Sequence, residues 1–261
     1  MDNVFITGAT GGLGRRVIKY LVNNGSAVTA LSRSEGNSKL IWDLGARPVM
    51  ADLFSSEELT ECTKGIGVIM HLATSIPRKA IPNKPSDWQM NDRIRIEGTK
   101  TLLKAARSNQ IKYLIQPSIT YVYGNRHGET VNSESSLGSR LPFMFNSAVE
   151  MERIIRAEKR LNHIILRFGS FYSADSVSTI NMIQNVKNRR MPIIGNGEYF
   201  WNNIHVDDAA NAVFYVFNNL ERLENRTINF TDFTPMTFKD MMMELSELTN
   251  SKKPSPITFS S

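Results

Sequence analysis

The sequence predicts an α/β protein whose strands form a parallel, doubly wound sheet. Two observations support this fold class. Short apolar runs bounded by turn residues alternate with longer segments of helical periodicity, and a glycine-rich loop joins the first run to the first helical segment. Strands that alternate with helices in this way pair in parallel through right-handed crossovers.

The first 168 residues supply six strand-like runs and the helices between them. The runs are VFIT (4–7), AVTALS (27–32), PVMAD (48–52), VIMHLA (68–73), YLIQPS (113–118) and HIILRF (163–168). One helical segment follows the glycine loop, and the others lie at 38–46, 55–65, 86–110 and 146–160. The polar, Gly- and Ser-rich stretch from about Asn125 to Leu141 is predicted to be a surface loop that could form a flap on the substrate side. Beyond Gly169, strand-like pieces (192–195, 202–206, 227–230) are mixed with helices at 207–220 and 238–250.

Composition limits the class of protein. The hydrophobic fraction of 41% and the charged fraction of 21% are ordinary for a globular chain. The single cysteine, Cys62, excludes a disulfide framework and favours a reducing cytoplasm. The net charge is +6, but the basic residues are scattered, which favours an anionic ligand over nucleic acid. Apolar strand residues begin at Val4, which leaves no room for a signal peptide, and no apolar run could span a bilayer. We therefore expect a soluble, cytoplasmic protein without a membrane partner.

The strongest motif is the segment GATGGLG at residues 8–14, directly after the first strand and at the start of a helix. Glycines there permit a tight turn, the approach of a pyrophosphate to the backbone and close helix–sheet packing. The helix N-terminus then presents unpaired N–H groups and a positive dipole end to the phosphates. In this context the motif predicts a Rossmann-type dinucleotide site. Its residues are Gly8, Thr10, Gly11, Gly12, Leu13 and Gly14.

The end of the second strand indicates which dinucleotide binds. An acidic residue there would hold a ribose 2′-hydroxyl, whereas a 2′-phosphate needs a cation. The sequence has Ser32 and Arg33, with no acid before Glu35. Arg33 could stack on adenine and pair with the phosphate through its planar fork, so NADP is favoured over NAD. The alternative is that Arg33 is a solvated loop charge.

Further motifs follow in a recognisable order. They are Asp52-Leu53, His71-Leu72-Ala73, EGTKTLLKAA (97–106), Val122-Tyr123-Gly124, Leu166-Arg167-Phe168-Gly169 and Ile204-His205-Val206-Asp207-Asp208-Ala209. With TGATGGLG, they make roughly residues 2–220 resemble the extended short-chain dehydrogenase/reductase family. The resemblance implies a sheet of about seven strands and a small C-terminal substrate lobe. On this interpretation, residues 1–170 form the dinucleotide-binding core and 171–261 form most of the lobe, with about 203–230 returning to the core.

The resemblance also assigns cofactor contacts. Asp52 and Leu53 would border the adenine, and Leu72, Ala73 and Thr74 would line the path to the nicotinamide ribose. Ser118, at the end of the fifth strand, is placed with the cofactor-binding residues. The resemblance further implies a homodimer through the helices around 88–109 and 146–160.

Several of these residues also have simpler interpretations. Asp52 could cap the end of its strand, and both roles stay open. His71 is interpreted as a satisfied buried histidine beside the sheet. His205 and Asp207 are expected to fix the turn into the next helix, with Asp207 as the N-cap. We expect no metal site, because no third or fourth ligand stands at a suitable spacing.

The catalytic residues are where the sequence departs from the family. The family uses a tyrosine acid or base whose pKa is lowered by a lysine four residues later, together with a Ser or Thr hydroxyl. In this chain no Tyr stands four residues before a Lys. Alignment on the flanking motifs puts Ile119, Met144 and Ala148 in the hydroxyl, tyrosine and lysine places, and Arg95 where the family carries an Asn. Thr120 and Tyr121 are weak catalytic candidates, since each is expected to pack rather than react.

Two functions therefore stay open at the level of sequence. The first is an atypical NADP-dependent oxidoreductase or epimerase-like enzyme acting on a small organic substrate. The second is a non-catalytic NAD(P)-sensing regulatory protein, similar to the nitrogen-metabolite repression regulators. The enzyme is favoured because a binding protein has no need to keep a substrate lobe.

Overall fold

The computed structural model describes residues 3–77 and 82–257. The strands are β1 Val4–Thr7, β2 Val28–Ser32, β3 Arg47–Met50, β4 Val68–His71, β5 Tyr113–Ile119, β6 Asn162–Phe168, β7 Ser170–Tyr172, β8 Ile193–Ile194, β9 Asn203–His205, β10 Arg226–Phe230 and β11 Pro256–Ile257. The α-helices are α1 Gly12–Asn23, α2 Glu35–Asp43, α3 Ser56–Cys62, α4 Pro85–Arg93, α5 Thr99–Ser108, α6 Asn146–Ala157, α7 Val177–Lys187, α8 Val206–Phe217, α9 Leu220–Leu223 and α10 Phe238–Leu248. A π-helical turn, Ile94–Gly98, joins α4 to α5, and short 3₁₀ turns lie at Thr120–Tyr123 and Phe143–Phe145.

Seven strands form one sheet in the order β10-β6-β5-β4-β1-β2-β3, and every neighbouring pair is parallel. This confirms the predicted doubly wound sheet of about seven strands. The strand order reverses between β1 and β4, where the chain winds outward in both directions. In such sheets a ligand binds in the crevice beyond the carboxyl ends of the strands, at the reversal point.

The central strands are continuous apolar runs because helices cover both faces of the sheet. Every residue of β1 and of β4 is buried. One hydrophobic cluster joins the sheet to α1 and α8, and a second joins its other face to α3, α5 and α6. This two-sided burial fixes the strand ends, and therefore the position of the crevice.

The C-terminal part adds smaller elements beside the crevice. A separate hydrophobic cluster links α7, β8 and α10, through Val186, Ile193, Phe238 and Met242. Two short parallel pairs, β7 with β9 and β8 with β11, complete this part. Since β10 joins the main sheet and α8 packs on α1, residues from both predicted regions contribute to the core. The boundary between 1–170 and 171–261 stays a prediction.

Local structure differs from the sequence expectations at the start of one helix and inside another. The prediction that Asp207 is an N-cap is wrong, because α8 begins one residue earlier, at Val206. His205 is the N-cap, and its Nδ1 accepts the Asp207 N–H at 3.3 Å. The helix predicted over 86–110 contains the π-helical turn, an insertion that is frequent at functional sites. Among the described residues, none of the helices combines the length and the apolar character that a membrane span requires.

Candidate cofactor site and reaction cleft

The glycine loop lies at the carboxyl end of β1, against the chain leaving β4. Gly8 has φ +74°, and a Cβ there would lie 2.5 Å from the backbone carbon of Leu72. A Cβ on Gly14 would collide with the carbonyl oxygen of Gly8, whose oxygen also accepts the Gly11 N–H at 3.0 Å. The loop can therefore be this compact only with glycine at these positions. The absence of side chains leaves the backbone open to a phosphate group.

The first turn of α1 is available to an anion. Gly11 is its N-cap and supplies no side-chain cap, and no acidic residue stands in that turn. The N–H groups at a helix N-terminus without such a cap need an external acceptor, and the helix dipole favours a negative one. The loop and the helix start together fit the pyrophosphate of a dinucleotide.

The end of β2 is held by serine hydroxyls and leaves Arg33 exposed. Ser32 Oγ donates to the Ser34 carbonyl at 2.9 Å, and Ser38 Oγ donates to Ser32 Oγ at the same distance. Ser34 Oγ accepts the Asn37 N–H as the N-cap of α2. Arg33 is exposed, with no hydrogen bond or ion pair to any described residue. Its guanidinium is therefore available to a ligand.

Asp52 and Leu53 follow β3 and differ in exposure. Asp52 Oδ1 accepts the Phe54 N–H at 3.0 Å, so the carboxylate closes a local turn while remaining exposed. Leu53 is buried, and its carbonyl accepts the Thr101 hydroxyl at 2.6 Å. Both roles considered for Asp52 remain open, because a turn-forming carboxylate at a strand end can also border a ligand.

The chain leaving β4 is fixed against β1. Thr7 Oγ1 lies 2.6 Å from His71 Nδ1 and accepts the Ala73 N–H at 3.3 Å. His71 Nε2 lies 3.3 Å from the Ile94 carbonyl. Burial lowers the pKa of His71 to about 4, although the contact with the Ile94 carbonyl acts in the opposite direction. The interpretation of His71 as a satisfied buried histidine is confirmed. Beyond it, Leu72 is buried and Thr74 is exposed.

The three positions that the resemblance assigns to the catalytic set lie at the end of β5 and around the start of α6. Ile119 and Met144 are half-buried, and Ala148 is fully buried. The Thr120 hydroxyl is buried without a partner among the described residues. Ile119, Met144 and Ala148 carry no group that can exchange a proton with a substrate.

Tyr121 is the nearest tyrosine to this place, and its hydroxyl is already engaged. The OH lies 2.9 Å from Ser170 Oγ, and the ring stacks on Phe145 at 5.3 Å between centroids. Burial raises the pKa of Tyr121 above its ordinary value, although the Ser170 hydrogen bond lowers it. A phenol held protonated in this way is a poor base near neutral pH.

A buried polar network, which the sequence did not reveal, fixes the end of β5. Ser118 Oγ donates to Glu152 Oε1 at 2.7 Å, and Arg167 binds both oxygens of Glu152, at 3.0 and 2.6 Å. Arg167 also donates to Tyr123 OH, which donates to Asn229 Oδ1, both at 2.7 Å. Burial acts against the Arg167 charge, but Glu152 raises the pKa of Arg167 above its ordinary value. The proposed cofactor residue Ser118 is therefore positioned by α6 and β6.

Arg95, in the π-helical turn, places a buried cation beside the start of α6. Its side chain is 7% exposed, and Nη1 donates to Ser147 Oγ at 3.2 Å. Burial lowers the pKa of Arg95 to about 10, while the charge of Asp92 raises it. The guanidinium lies next to the residue that precedes Ala148. From the sequence, Arg95 is recognised only as standing where the family carries an Asn, and its burial is not predicted.

The C-terminal part reaches the same region through aromatic side chains. Trp201 packs edge-on against Tyr121, with 6.3 Å between ring centroids, and against Phe238 at 5.4 Å. Tyr199 and Phe200 are about half exposed beside it. Aromatic surface therefore borders the cleft on the side away from the glycine loop.

Comparisons with known proteins agree with this architecture. A model of the NAD dependent epimerase/dehydratase family matches residues 4–230. The chain is 26% identical over 249 residues to 4-hydroxy-2-methyl-3-oxo-4-farnesyl-3,4-dihydroquinoline-1-oxide ketoreductase of Stigmatella aurantiaca, covering 93% of this chain and 72% of that protein. A dTDP-glucose 4,6-dehydratase from Streptomyces venezuelae, solved with NAD bound, superposes with a TM-score of 0.79 at 17% identity, covering 99% of this chain and 85% of that one. The family match confirms the resemblance inferred from the motifs.

Two other relatives match over shorter stretches. Sterol-4-alpha-carboxylate 3-dehydrogenase, decarboxylating, of Dictyostelium discoideum is 45% identical over 76 residues, which are 29% of this chain and 23% of that protein. Photosystem II assembly factor Ycf39 of Cyanophora paradoxa is 28% identical over 170 residues, which are 65% of this chain and 46% of that protein. The chain thus spans less than half the length of either.

Proposed function

This chain belongs to the NAD dependent epimerase/dehydratase family, and we propose that it is an NADP(H)-dependent oxidoreductase or epimerase-like enzyme for a small organic substrate. The observation that carries the cofactor part of the proposal is the pairing of a glycine cradle free of side chains with an exposed Arg33 that has no partner among the described residues, at the carboxyl edge of the sheet. The cradle suits a pyrophosphate and the guanidinium suits a 2′-phosphate.

The chain's own residues divide the binding work. Gly8, Gly11 and the start of α1 receive the pyrophosphate. Arg33 receives the 2′-phosphate, and Ser32, whose hydroxyl is bound to Ser34, fixes the strand end that carries Arg33. Leu72, Ala73 and Thr74 border the opposite end of the cofactor, together with Ser118. When bound, NADP(H) would supply the hydride donor or acceptor of the reaction.

Two relatives support redox chemistry, since their names are those of a ketoreductase and a dehydrogenase. The reaction proceeds without the Tyr/Lys pair of the family, because Met144 and Ala148 carry no ionisable group. Tyr121 is not the proposed replacement, because its hydroxyl is already bound to Ser170 and burial raises its pKa, which makes the phenol a poor base for the oxidation direction. The substrate oxygen must therefore be stabilised by other donors or take its proton from water.

The cofactor assignment is tested with Arg33→Ala and a matched control, Lys39→Ala, on the exposed face of the following helix. We expect Arg33→Ala to weaken NADPH binding at least tenfold, about 1.4 kcal/mol, and to leave NADH binding within about twofold. Lys39→Ala should change neither. Fluorescence titration measures both affinities, and equal losses for the two cofactors would contradict the NADP assignment. NADPH oxidation across a panel of ketones and sugar nucleotides then tests for turnover.

A second candidate function is a non-catalytic NAD(P)-sensing regulatory protein. The observation in its favour is that Ile119, Met144 and Ala148 fill the reaction end with apolar side chains. The partial match to a photosystem II assembly factor supports the same candidate. In that role the cofactor changes the affinity for a partner protein. Tight NADPH binding without turnover of any panel compound would favour the sensor, and a partner complex that forms equally well with and without NADP⁺ would contradict it.

We also infer a cytoplasmic location, from the single cysteine, and a homodimer formed through the helices around 88–109, which include α4 and α5, and 146–160, which include α6. Size-exclusion chromatography with light scattering tests the dimer directly.

A further inference from the structure

Asn91 and Arg95 lie four residues apart on the continuous helix formed by α4 and the π-helical turn, so their side chains share one face. Both are buried, with 0% and 7% of their surface exposed. Lysine and arginine side chains on helices usually keep their charge in water. A guanidinium at this depth therefore needs a partner of matching chemistry.

The two side chains have more N–H donors than the described residues offer acceptors. Asn91 Oδ1 accepts the Ser75 N–H at 3.1 Å, which fixes the orientation of the amide. Its Nδ2 is buried and has no partner among the described residues. Arg95 Nη1 donates to Ser147 Oγ at 3.2 Å, and no described residue accepts from Nε or Nη2. Two neighbouring groups thus present N–H donors for which the described part of the chain supplies no acceptor.

The position of this donor pair places it at the reaction end of the crevice. Ser75 lies in the chain that leaves the carboxyl end of β4, and Ser147 stands at the start of α6 beside Ala148. The same turn contacts the β4 end through the Ile94 carbonyl and His71. The donors therefore lie between two of the elements that line the path away from the glycine loop.

Asp92 is the acidic residue whose charge acts on Arg95. The two side chains form no ion pair within 4 Å, and Asp92 Oδ1 is itself buried without a partner among the described residues. Asp92 offsets part of the charge without using the free donors. An external oxygen acceptor would use them.

We infer that Asn91 and Arg95 form a binding site for an oxygen acceptor with full or partial negative charge, such as a carboxylate, a phosphate oxygen or a polarised carbonyl. This inference rests on the proposed function, because it places the site at the reaction end of a cofactor crevice. The acceptor comes either from the nicotinamide half of the cofactor or from the substrate. In both cases the pair supplies a buried positive charge close to Ala148, which stands in the place of the family's lysine.

The test compares wild type with Arg95→Met, which keeps the side-chain length without the charge, and with Arg95→Lys, which restores the charge. NADPH and adenosine 2′,5′-bisphosphate, which lacks the nicotinamide half, are titrated into each variant. A tenfold loss for NADPH with the bisphosphate unchanged, partly rescued in Arg95→Lys, supports the site with the cofactor as its source. Acetate is titrated into the NADP⁺ complex in the second arm. An acetate-dependent rise in melting temperature in wild type that Arg95→Met abolishes supports the site with the substrate as its source.

Unchanged binding in the Arg95 variant would overturn the inference. If Arg95→Met binds both nucleotides and acetate as wild type does, the inference is overturned, even if its melting temperature falls. If Arg95→Met does not fold, Asn91→Leu and Arg95→Lys decide the question with the same titrations. Failure of wild type to bind NADPH would refute the proposed function instead, and acetate binding to the free protein would then decide the inference alone.

Discussion

Substitution of Gly8 by alanine separates the two constraints that act on the glycine loop. The φ of +74° imposes a left-handed backbone on the new side chain, which costs about 1–2 kcal/mol. The new Cβ would also lie 2.5 Å from the backbone of Leu72, and such overpacking costs about 1–3 kcal/mol. Together these give a loss of about 2–5 kcal/mol, a large part of an ordinary stability of about 5–15 kcal/mol.

Two other glycines serve as matched controls. Gly65 has φ +73°, but no described atom lies within 4 Å of the place that a Cβ would take, so Gly65→Ala should show the backbone cost alone. Gly36 lies inside α2 with the same open space, so Gly36→Ala should stabilise the protein by about 0.5–1 kcal/mol through helix propensity. Urea unfolding of the three variants measures the order, and NADPH titration of Gly8→Ala should show at least a tenfold loss. If Gly8→Ala were as mild as Gly65→Ala, the close approach of the loop to Leu72 would be refuted.

Two further predictions concern buried charge. Glu152→Gln leaves the buried Arg167 without its carboxylate and should lower the free energy of unfolding by about 3–5 kcal/mol. Glu150→Gln loses only the exposed pair with Arg153 and should be close to neutral. Equal effects of the two variants in urea unfolding would contradict the buried network. His71 is neutral in the folded protein because its pKa is lowered from 6.5 to about 4, so its contribution is complete above pH 6.5 and is lost as the pH falls towards 4. The full loss is about 3 kcal/mol, and a difference between wild type and His71→Gln that does not change from pH 7 to pH 4.5 would contradict it.

The sheet could be predicted from sequence because its strands are buried on both faces. In a chain of alternating strands and helices, a short apolar run such as VIMH in β4 predicts a central strand. Gly8 and Gly14 mark the loop that follows β1. By contrast, the sequence pattern does not predict α7. Its Val186 is buried while Val177 and Ile180 are exposed, so the apolar residues of α7 do not form one buried face.

Site residues that depend on tertiary pairing could not be predicted. Glu152 and Arg167 lie on different elements, and nothing local to either residue shows that they meet. Side-chain preference favours Asp207 as the N-cap of α8, but the helix begins at Val206, so Asp207 lies in its first turn. Its carboxylate binds Arg16 from α1 instead, a contact between residues 191 positions apart.

The choice between enzyme and sensor depends on which half of the crevice is considered. The cofactor half is built mainly from backbone: the glycine loop, the start of α1 and the ends of β1 and β4. That half can persist whatever side chains stand at 119, 144 and 148, so its preservation does not distinguish the two functions. The reaction half is different, because it keeps the largely buried guanidinium of Arg95, whose Nε and Nη2 have no acceptor among the described residues. Such a group destabilises a protein that has no ligand for it, since an apolar side chain of similar volume would pack there without losing hydration. In a sensor whose signal depends only on the cofactor half, the destabilising guanidinium has no function. In an enzyme without a Tyr/Lys pair, the same guanidinium can stabilise a substrate oxygen. Acetate binding that depends on Arg95 would therefore favour the enzyme, and dependence on Arg95 for NADPH alone would leave the sensor in place.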